Sequence, residues 1–152
     1  MNDRNVAWRH VAELPDGGFL ITERGGKAFR VATGSRISLD GLPTDIMAEG
    51  QGGLLDIVLA PDFSTSAEVY LSYAYGTIEE NGTALLRARL EGNSLKDSIV
   101  IFKAGPPKSA PQHFGGRIAF LPDDTLILTL GDGFAYREDA QKGNTDLGKI
   151  VR

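Results

Sequence analysis

The chain contains only two histidines. One of them, His113, stands in the run Gln112-His113-Phe114-Gly115-Gly116-Arg117, which leads into the apolar Ile118-Ala119-Phe120-Leu121. An imidazole exchanges a proton near neutral pH, and a glycine pair lets a ligand approach the backbone closely. Together these residue types suit general acid–base chemistry on a small bound molecule. The second candidate is Gln51 in Gly50-Gln51-Gly52-Gly53. Gln51 lies ten residues ahead of the pair Pro61-Asp62, and His113 nine ahead of Pro122-Asp123. Nearly matching register in two repeats, each residue just ahead of the strand that would line a central channel, is expected to bring both side chains to the same end of the fold.

Other polar residues have plainer readings. His10 has no glycine context and is read as structural, and Arg117 as a solvated strand residue. Asp132 sits between two glycines at a strand end and, with Asp139 and Asp146, invites a calcium reading. Calcium takes roughly 6–8 oxygen ligands, and these acids lack the spacing of a calcium loop, so Asp132 reads as a turn aspartate and no metal ligand is assigned. Asp56 interrupts an apolar strand and is expected to pair with a backbone amide or with an arginine such as Arg24 or Arg117. There is no phosphate loop, no GxSxG elbow and no His-rich metal pattern, which sets aside most other enzyme classes.

Composition bounds the rest. A chain of 152 residues with 41% hydrophobic and 24% charged content is that of an ordinary globular domain. Its net charge is −4 and its 16 basic residues are scattered, which argues against a nucleic-acid partner. The apolar runs are strand-sized, far short of the roughly 20 residues that span a bilayer, so no membrane span is expected. Met1-Asn2-Asp3-Arg4-Asn5 has no apolar stretch behind it and shows no secretory signal, which fits a cytoplasmic protein or a start that has been lost. The 19 glycines and 7 prolines imply many turns and favour an all-β fold.

The elements that must position these residues repeat. A Pro-Asp pair recurs at 15–16, 61–62 and 122–123, each time between two β-rich runs. The first unit is expected to hold strands in 6–14, 19–24, 28–31 and, weakly, 36–39. The second holds them in 54–60, 69–75, 83–90 and 99–102, with Asn81-Gly82 as a turn. The third holds 117–121 and 125–130, a helical turn near Asp139-Ala140-Gln141, and a strand beginning in 147–152. Four-stranded units of about 40–50 residues stacked round an axis make a β-propeller; a β-sandwich is the competing reading. The blades fall at about 6–45, 50–105 and, incomplete, 113–152. Two and a half blades cannot close a ring, so the chain is expected to be the amino-terminal part of a longer protein, with an open edge able to self-associate.

The motifs Leu14-Pro15-Asp16-Gly17, Leu20-Ile21-Thr22-Glu23-Arg24, Gly50-Gln51-Gly52-Gly53-Leu54-Leu55-Asp56, Val69-Tyr70-Leu71-Ser72-Tyr73, His113-Phe114-Gly115-Gly116-Arg117, Ala140-Gln141 and Leu147-Gly148-Lys149-Ile150-Val151-Arg152 follow one another over nearly the whole chain. In this set the sequence resembles the soluble aldose sugar dehydrogenases that use pyrroloquinoline quinone (PQQ), within the glucose/sorbosone dehydrogenase group. The resemblance implies a six-bladed propeller with the quinone over its central channel. It implies that His113 is the base that takes the proton from the anomeric hydroxyl of an aldose while hydride passes to the quinone. Gln51 and Gln112 would contact the cofactor. The product would be a lactone, and the electrons would pass to an external acceptor other than oxygen. Calcium accompanies the quinone in full-length members, but the matching ligands belong to later blades, outside this chain. Family members are typically periplasmic. The third turn departs from the pattern, with Asp123-Asp124 in place of Asp-Gly, a change expected to alter the turn type only. The fragment alone is expected to be inactive. The alternative is a non-catalytic propeller segment for carbohydrate binding or assembly; a metal-dependent lactonase fits Gln51 and His113 poorly.

Overall fold

The structure, a computed structural model, describes residues 8–152. Val6 and Ala7 of the first expected strand lie outside the described residues. Among the described residues eleven strands form three antiparallel sheets. The first sheet is a meander of β1 (Trp8–Glu13), β2 (Phe19–Glu23), β3 (Lys27–Ala32) and β4 (Ser35–Ser38). The second runs β5 (Leu54–Leu59), β6 (Glu68–Gly76), β7 (Asn81–Glu91) and β8 (Ser94–Lys103), and the third pairs β9 (Gly115–Phe120), β10 (Leu126–Leu130) and β11 (Ile150–Val151). The first strands β1, β5 and β9 lie side by side, with β5 in contact with both others. Successive meanders stacked with their first strands innermost are consecutive blades of a β-propeller, here a partial one.

Strand alternation explains the stacking. Along β7, Ala84, Leu86, Ala88 and Leu90 face one way and pack with Leu14, Leu20 and Ala28 of the first blade. Leu85 points to the other face and joins Ile118, Leu128 and Leu130 of the third. A period-two pattern with apolar residues on both faces is what a blade needs when it is covered on both sides. The second blade therefore glues its neighbours together.

The turns follow one template. Leu14 and Gly18 bond through Leu14 N–H to the Gly18 carbonyl at 2.7 Å, and Gly17 N–H reaches the Leu14 carbonyl at 2.9 Å. Leu121, Asp124 and Thr125 repeat this pattern at 2.8 and 2.9 Å. Asp124 adopts φ +60°, in the left-handed region where Gly17 has φ +81°. The aspartate thus keeps the turn type that was expected to change, because Asp tolerates that conformation better than most residues. At the middle Pro-Asp pair the chain inserts a short helix, α1 (Phe63–Ser66), before β6.

Two local readings are corrected. Asn81-Gly82 is not the turn but the start of β7, where Asn81 pairs with Gly76. The reversal lies just before it, and the fully buried Asn81 closes it by donating its side-chain amide to the carbonyls of Thr77 and Ile78, both at 3.0 Å. The final strand covers only Ile150–Val151 of the expected 147–152. The helical turn near Asp139 is a 3-10 turn, Arg137–Gln141. Among the described residues no helix is long and apolar enough to cross a membrane.

Candidate active site at the inner strands

His113 precedes β9 and has φ +52°. A non-glycine residue in that region carries strain that its surroundings must offset. They do so through the backbone and the ring. The His113 N–H donates to Oε1 of Gln51 at 3.0 Å, and Gly133 N–H reaches the His113 carbonyl at 3.3 Å. Nδ1 of the ring lies 2.8 Å from Oδ1 of Asp132, which follows β10. The ring meets Phe134 edge-on, with centroids 5.3 Å apart. Phe134 itself has φ +64°. The Asp132 carboxyl is held below the usual range, first by the Phe134 amide, which donates to Oδ1 at 2.9 Å, and then by the imidazole.

An ionised Asp132 accepts the Nδ1 proton and so leaves Nε2 as the bare, basic nitrogen. Nε2 has no partner among the described residues, and the side chain is 44% exposed. The arrangement is a base with an orienting carboxylate, open on the side where a substrate would come.

The Gln51 loop is fixed from two blades. Its N–H donates to the Pro111 carbonyl at 2.8 Å. Arg9 donates to the Gln51 carbonyl at 2.9 Å, and Arg24 to those of Gly50 at 2.9 Å and Ala48 at 3.3 Å. Neither guanidinium has a carboxylate partner among the described residues, and burial followed by the nearby Arg24 charge lowers Arg9. Gly53 permits the close packing here: a Cβ would lie 1.7 Å from the Arg24 carbonyl oxygen, at φ +97°. Gln51 keeps its side-chain NH2 free of partners among the described residues. Gln112 is half-buried and makes no side-chain hydrogen bond among them.

Beneath this end, one carboxylate ties the three inner strands. Asp56 on β5 is almost completely buried. Its Oδ1 accepts from the Ile57 amide at 2.8 Å and faces Nε2 of His10 on β1 at 3.1 Å. Its Oδ2 accepts from the Ile118 amide at 2.9 Å and from Arg117 on β9 at 3.3 Å. Arg117 also donates to Nδ1 of His10. A guanidinium has no acceptor, so Nδ1 is unprotonated and the Nε2 proton goes to Asp56: His10 is neutral. Burial first, and then Arg117, lower its pKa against the opposing pull of Asp56. A cavity of about 250 Å³ opens here, lined by Arg9, Asp56, Gly116, Arg117 and Thr129 among others.

The expected meeting of Gln51 and His113 is found, as is the pairing of Asp56 with Arg117 and with backbone amides. Asp132 is a turn aspartate and also the partner of His113, a role the sequence reading missed. The one available signal was its position: it lies two residues past the end of the strand paired with β9, so it lands beside His113, two residues ahead of β9. Asp139 and Asp146 turn elsewhere, to Lys142 at 2.6 Å and to the Gly105 amide at 2.8 Å. Among the described residues no three acids, histidines or cysteines converge on a metal position.

Fold and site together define a propeller segment with a His–Asp pair at the mouth of its inner strands. Residues 5–152 match the family described as Glucose / Sorbosone dehydrogenase, and the chain belongs to that family. It is 42% identical over 148 residues to the aldose sugar dehydrogenase YliI of Escherichia coli, covering 93% of this chain and 39% of the relative. The soluble aldose sugar dehydrogenase of E. coli in its apo form superimposes with a TM-score of 0.87 at 39% identity, over 95% of this chain and 43% of the other. The PQQ-bound aldose sugar dehydrogenase of Streptomyces coelicolor does so with a TM-score of 0.78 at 30% identity, over 96% and 44%. The chain therefore spans about two fifths of the length of these relatives.

Proposed function

We propose that this chain is the amino-terminal part of a quinone-dependent dehydrogenase that oxidises an aldose at its anomeric carbon to the lactone. The observation that carries the reading is the His113–Asp132 pair, 2.8 Å apart, with Nε2 turned to solvent. Its support from relatives is that the similar S. coelicolor protein holds PQQ and the similar E. coli proteins are aldose sugar dehydrogenases.

The residues present fit an anionic, planar group at this mouth. The free amide of Gln51 offers donors, and the guanidiniums of Arg9 and Arg24 put uncompensated positive charge behind it. Gln51, with Gln112 beside His113, would hold one edge of the cofactor; no ligand for the accompanying calcium is assigned to this chain. When bound, pyrroloquinoline quinone would supply the two-electron acceptor for the anomeric hydride. His113 Nε2 takes the proton of the anomeric hydroxyl as the C–H bond breaks, and Asp132 stabilises the imidazolium that results. An external electron acceptor would complete the turnover. The periplasm is the compartment that the family resemblance favours.

The test is dye reduction by the full-length protein supplied with PQQ, calcium and an aldose. Activity is expected, with loss on His113→Ala and none from the 152-residue chain alone. Full activity in His113→Ala removes that residue from the role of base. A full-length protein that binds sugar but reduces no dye is the carbohydrate-binding alternative.

A further inference from the structure

We infer that Ser72 and Thr83, two buried hydroxyls of the second blade, are positioning residues that set the catalytic orientation of His113 by holding the carbonyls on its carboxyl-terminal side. The inference rests on the reading of His113 as the base.

Both side chains are out of solvent, Ser72 at 0% and Thr83 at 3% exposure. Thr83 on β7 donates its hydroxyl to the Phe114 carbonyl at 2.7 Å. That carbonyl also accepts from the Gly131 amide at 3.0 Å, next to Asp132. One oxygen thus joins the backbones on either side of the two partners, with Thr83 as its second donor. Ser72 on β6 donates to the Gly116 carbonyl at 2.5 Å and accepts from the Asp56 amide at 3.1 Å. Gln51 takes the His113 amide from the other side.

The segment is held from below as well. Lys108, 3% exposed, donates to Asn81 Oδ1 at 2.7 Å and to the Ala110 carbonyl, and its ammonium lies 3.8 Å from the centre of the Phe114 ring. The stem of Lys108 packs against Gly133. The segment from 110 to 116 therefore has its carbonyls at 110, 114 and 116 bound by buried side chains, none of which reaches the open face of His113. A buried hydroxyl serving one strained loop is more than packing requires, since an apolar residue of the same shape would fill the space. A positive φ at a histidine persists only where neighbours over-determine it, and these two hydroxyls extend to the next residues the hold that Gln51, Gly133 and Asp132 have on His113 itself.

The experiment uses the full-length protein with Thr83→Val, which keeps the shape and removes the hydroxyl, and Thr83→Ser, which keeps the hydroxyl. Thr83→Val is expected to lower kcat by about 10- to 100-fold with little change in sugar KM, the penalty of a displaced base. Thr83→Ser is expected to restore most of it. A second readout needs no turnover: nitrogen NMR of the imidazole in the cofactor-free protein, assigned by its loss in His113→Ala. The wild type is expected to show the Nδ1-protonated tautomer and Thr83→Val a mixture. Ser72→Ala, read the same way, covers a Thr83→Val that does not fold. Wild-type kcat with an unchanged tautomer in the folded variants overturns the inference. So does an equal loss in Val and Ser variants, which marks general packing. If the wild type oxidises no sugar, the dehydrogenase reading fails and, with it, the catalytic role inferred here; the tautomer then reports only whether the hydroxyls orient the ring.

Discussion

Oδ1 of Asp132 receives two hydrogen bonds, from Nδ1 of His113 at 2.8 Å and from the Phe134 amide at 2.9 Å, so one carboxylate oxygen orders both the ring and the loop beside it. This sharing separates two substitutions. Asp132→Asn keeps an oxygen in that place and loses only the charge proposed to stabilise an imidazolium at His113. Asp132→Ala loses the orientation as well. The alanine variant is expected to lower kcat by about 10²- to 10⁴-fold, the range that general-base catalysis itself contributes, because the proposed base His113 then lacks the partner that fixes its tautomer. The asparagine variant should fall between it and the wild type, with sugar KM near normal in both. Steady-state dye reduction by the full-length protein checks the order; equal effects would mean that charge alone matters.

His10 gives a pH dependence of stability. Its ring is neutral in the fold because Arg117 donates to Nδ1, and burial lowers its pKa from the ordinary 6.5. The folded state therefore binds the proton less readily than the unfolded chain does. Stability from this group is complete above about pH 6.5 and is lost as the pH falls from there through the lower folded value. Thermal midpoints measured from pH 8 to pH 5 are expected to decline below about 6.5. His10→Gln, which has no titrating group, should flatten that part of the curve. A wild-type midpoint that is constant across this range would contradict the neutral assignment.

Asp56 is the node of that network, and its removal leaves the amides of Ile57 and Ile118 and the two basic side chains without their shared acceptor. Breaking a buried pair by deleting one partner costs about 3–5 kcal/mol. Asp56→Ala is expected near the lower end, since Arg117 is 59% exposed and can turn to water. Denaturant unfolding of the full-length protein measures it. A cost below about 1 kcal/mol would show that the carboxylate is not what joins the three strands.

The sheets were legible because their signals are local. Alternation along Ala84, Leu86, Ala88 and Leu90 and the recurring Pro-Asp turns depend on neighbours in sequence. Gln51 and His113 could be brought together from repeat register alone, because a propeller turns equal register into equal height on the inner strands. What stayed hidden lies across the sequence. Asp132 is 19 residues from His113, and its pairing needs the β9–β10 register; as a short motif, Gly-Asp-Gly says only turn. Lys108 sits in a Pro-Pro-Lys-Ser loop that looks solvated, yet it is buried, and desolvation lowers it to about 8. Its partners Asn81 and Phe114 come from both sides in the chain. Asn81 was misread for a related reason: Asn-Gly is a strong turn pair, but here tertiary burial makes the asparagine close the preceding turn instead.

Gln51 has two tasks that a single substitution can separate. Its Oε1 holds the His113 amide, while its NH2 is the group proposed to meet the cofactor. Gln51→Glu retains the acceptor and replaces the donors with negative charge facing an anionic quinone. It is expected to raise the PQQ concentration needed for half-reconstitution by about tenfold, which corresponds to about 1.4 kcal/mol. At saturating PQQ, kcat should stay near wild type because His113 is still held. If half-reconstitution is unchanged, Gln51 serves the loop and not the cofactor.

Gly116 tests the packing beneath His113. It has φ +95°, and an added Cβ would meet Leu55 Cδ1 at 2.6 Å and Leu55 Cβ at 2.9 Å. A methyl end can swing away, but Leu55 Cβ is fixed to β5, so the strain passes to the backbone that joins His113 to β9. Gly116→Ala is expected to destabilise the full-length protein by about 1–3 kcal/mol, from overpacking and the unfavourable φ together. Gly143 is the control, with no atom within 4 Å of a built Cβ and no positive φ. Gly143→Ala should stay within about 0.5 kcal/mol of wild type, as open surface changes do. Equal thermal midpoints for the two variants would mean that β5 and β9 yield at this contact, and that His113 does not owe its place to it.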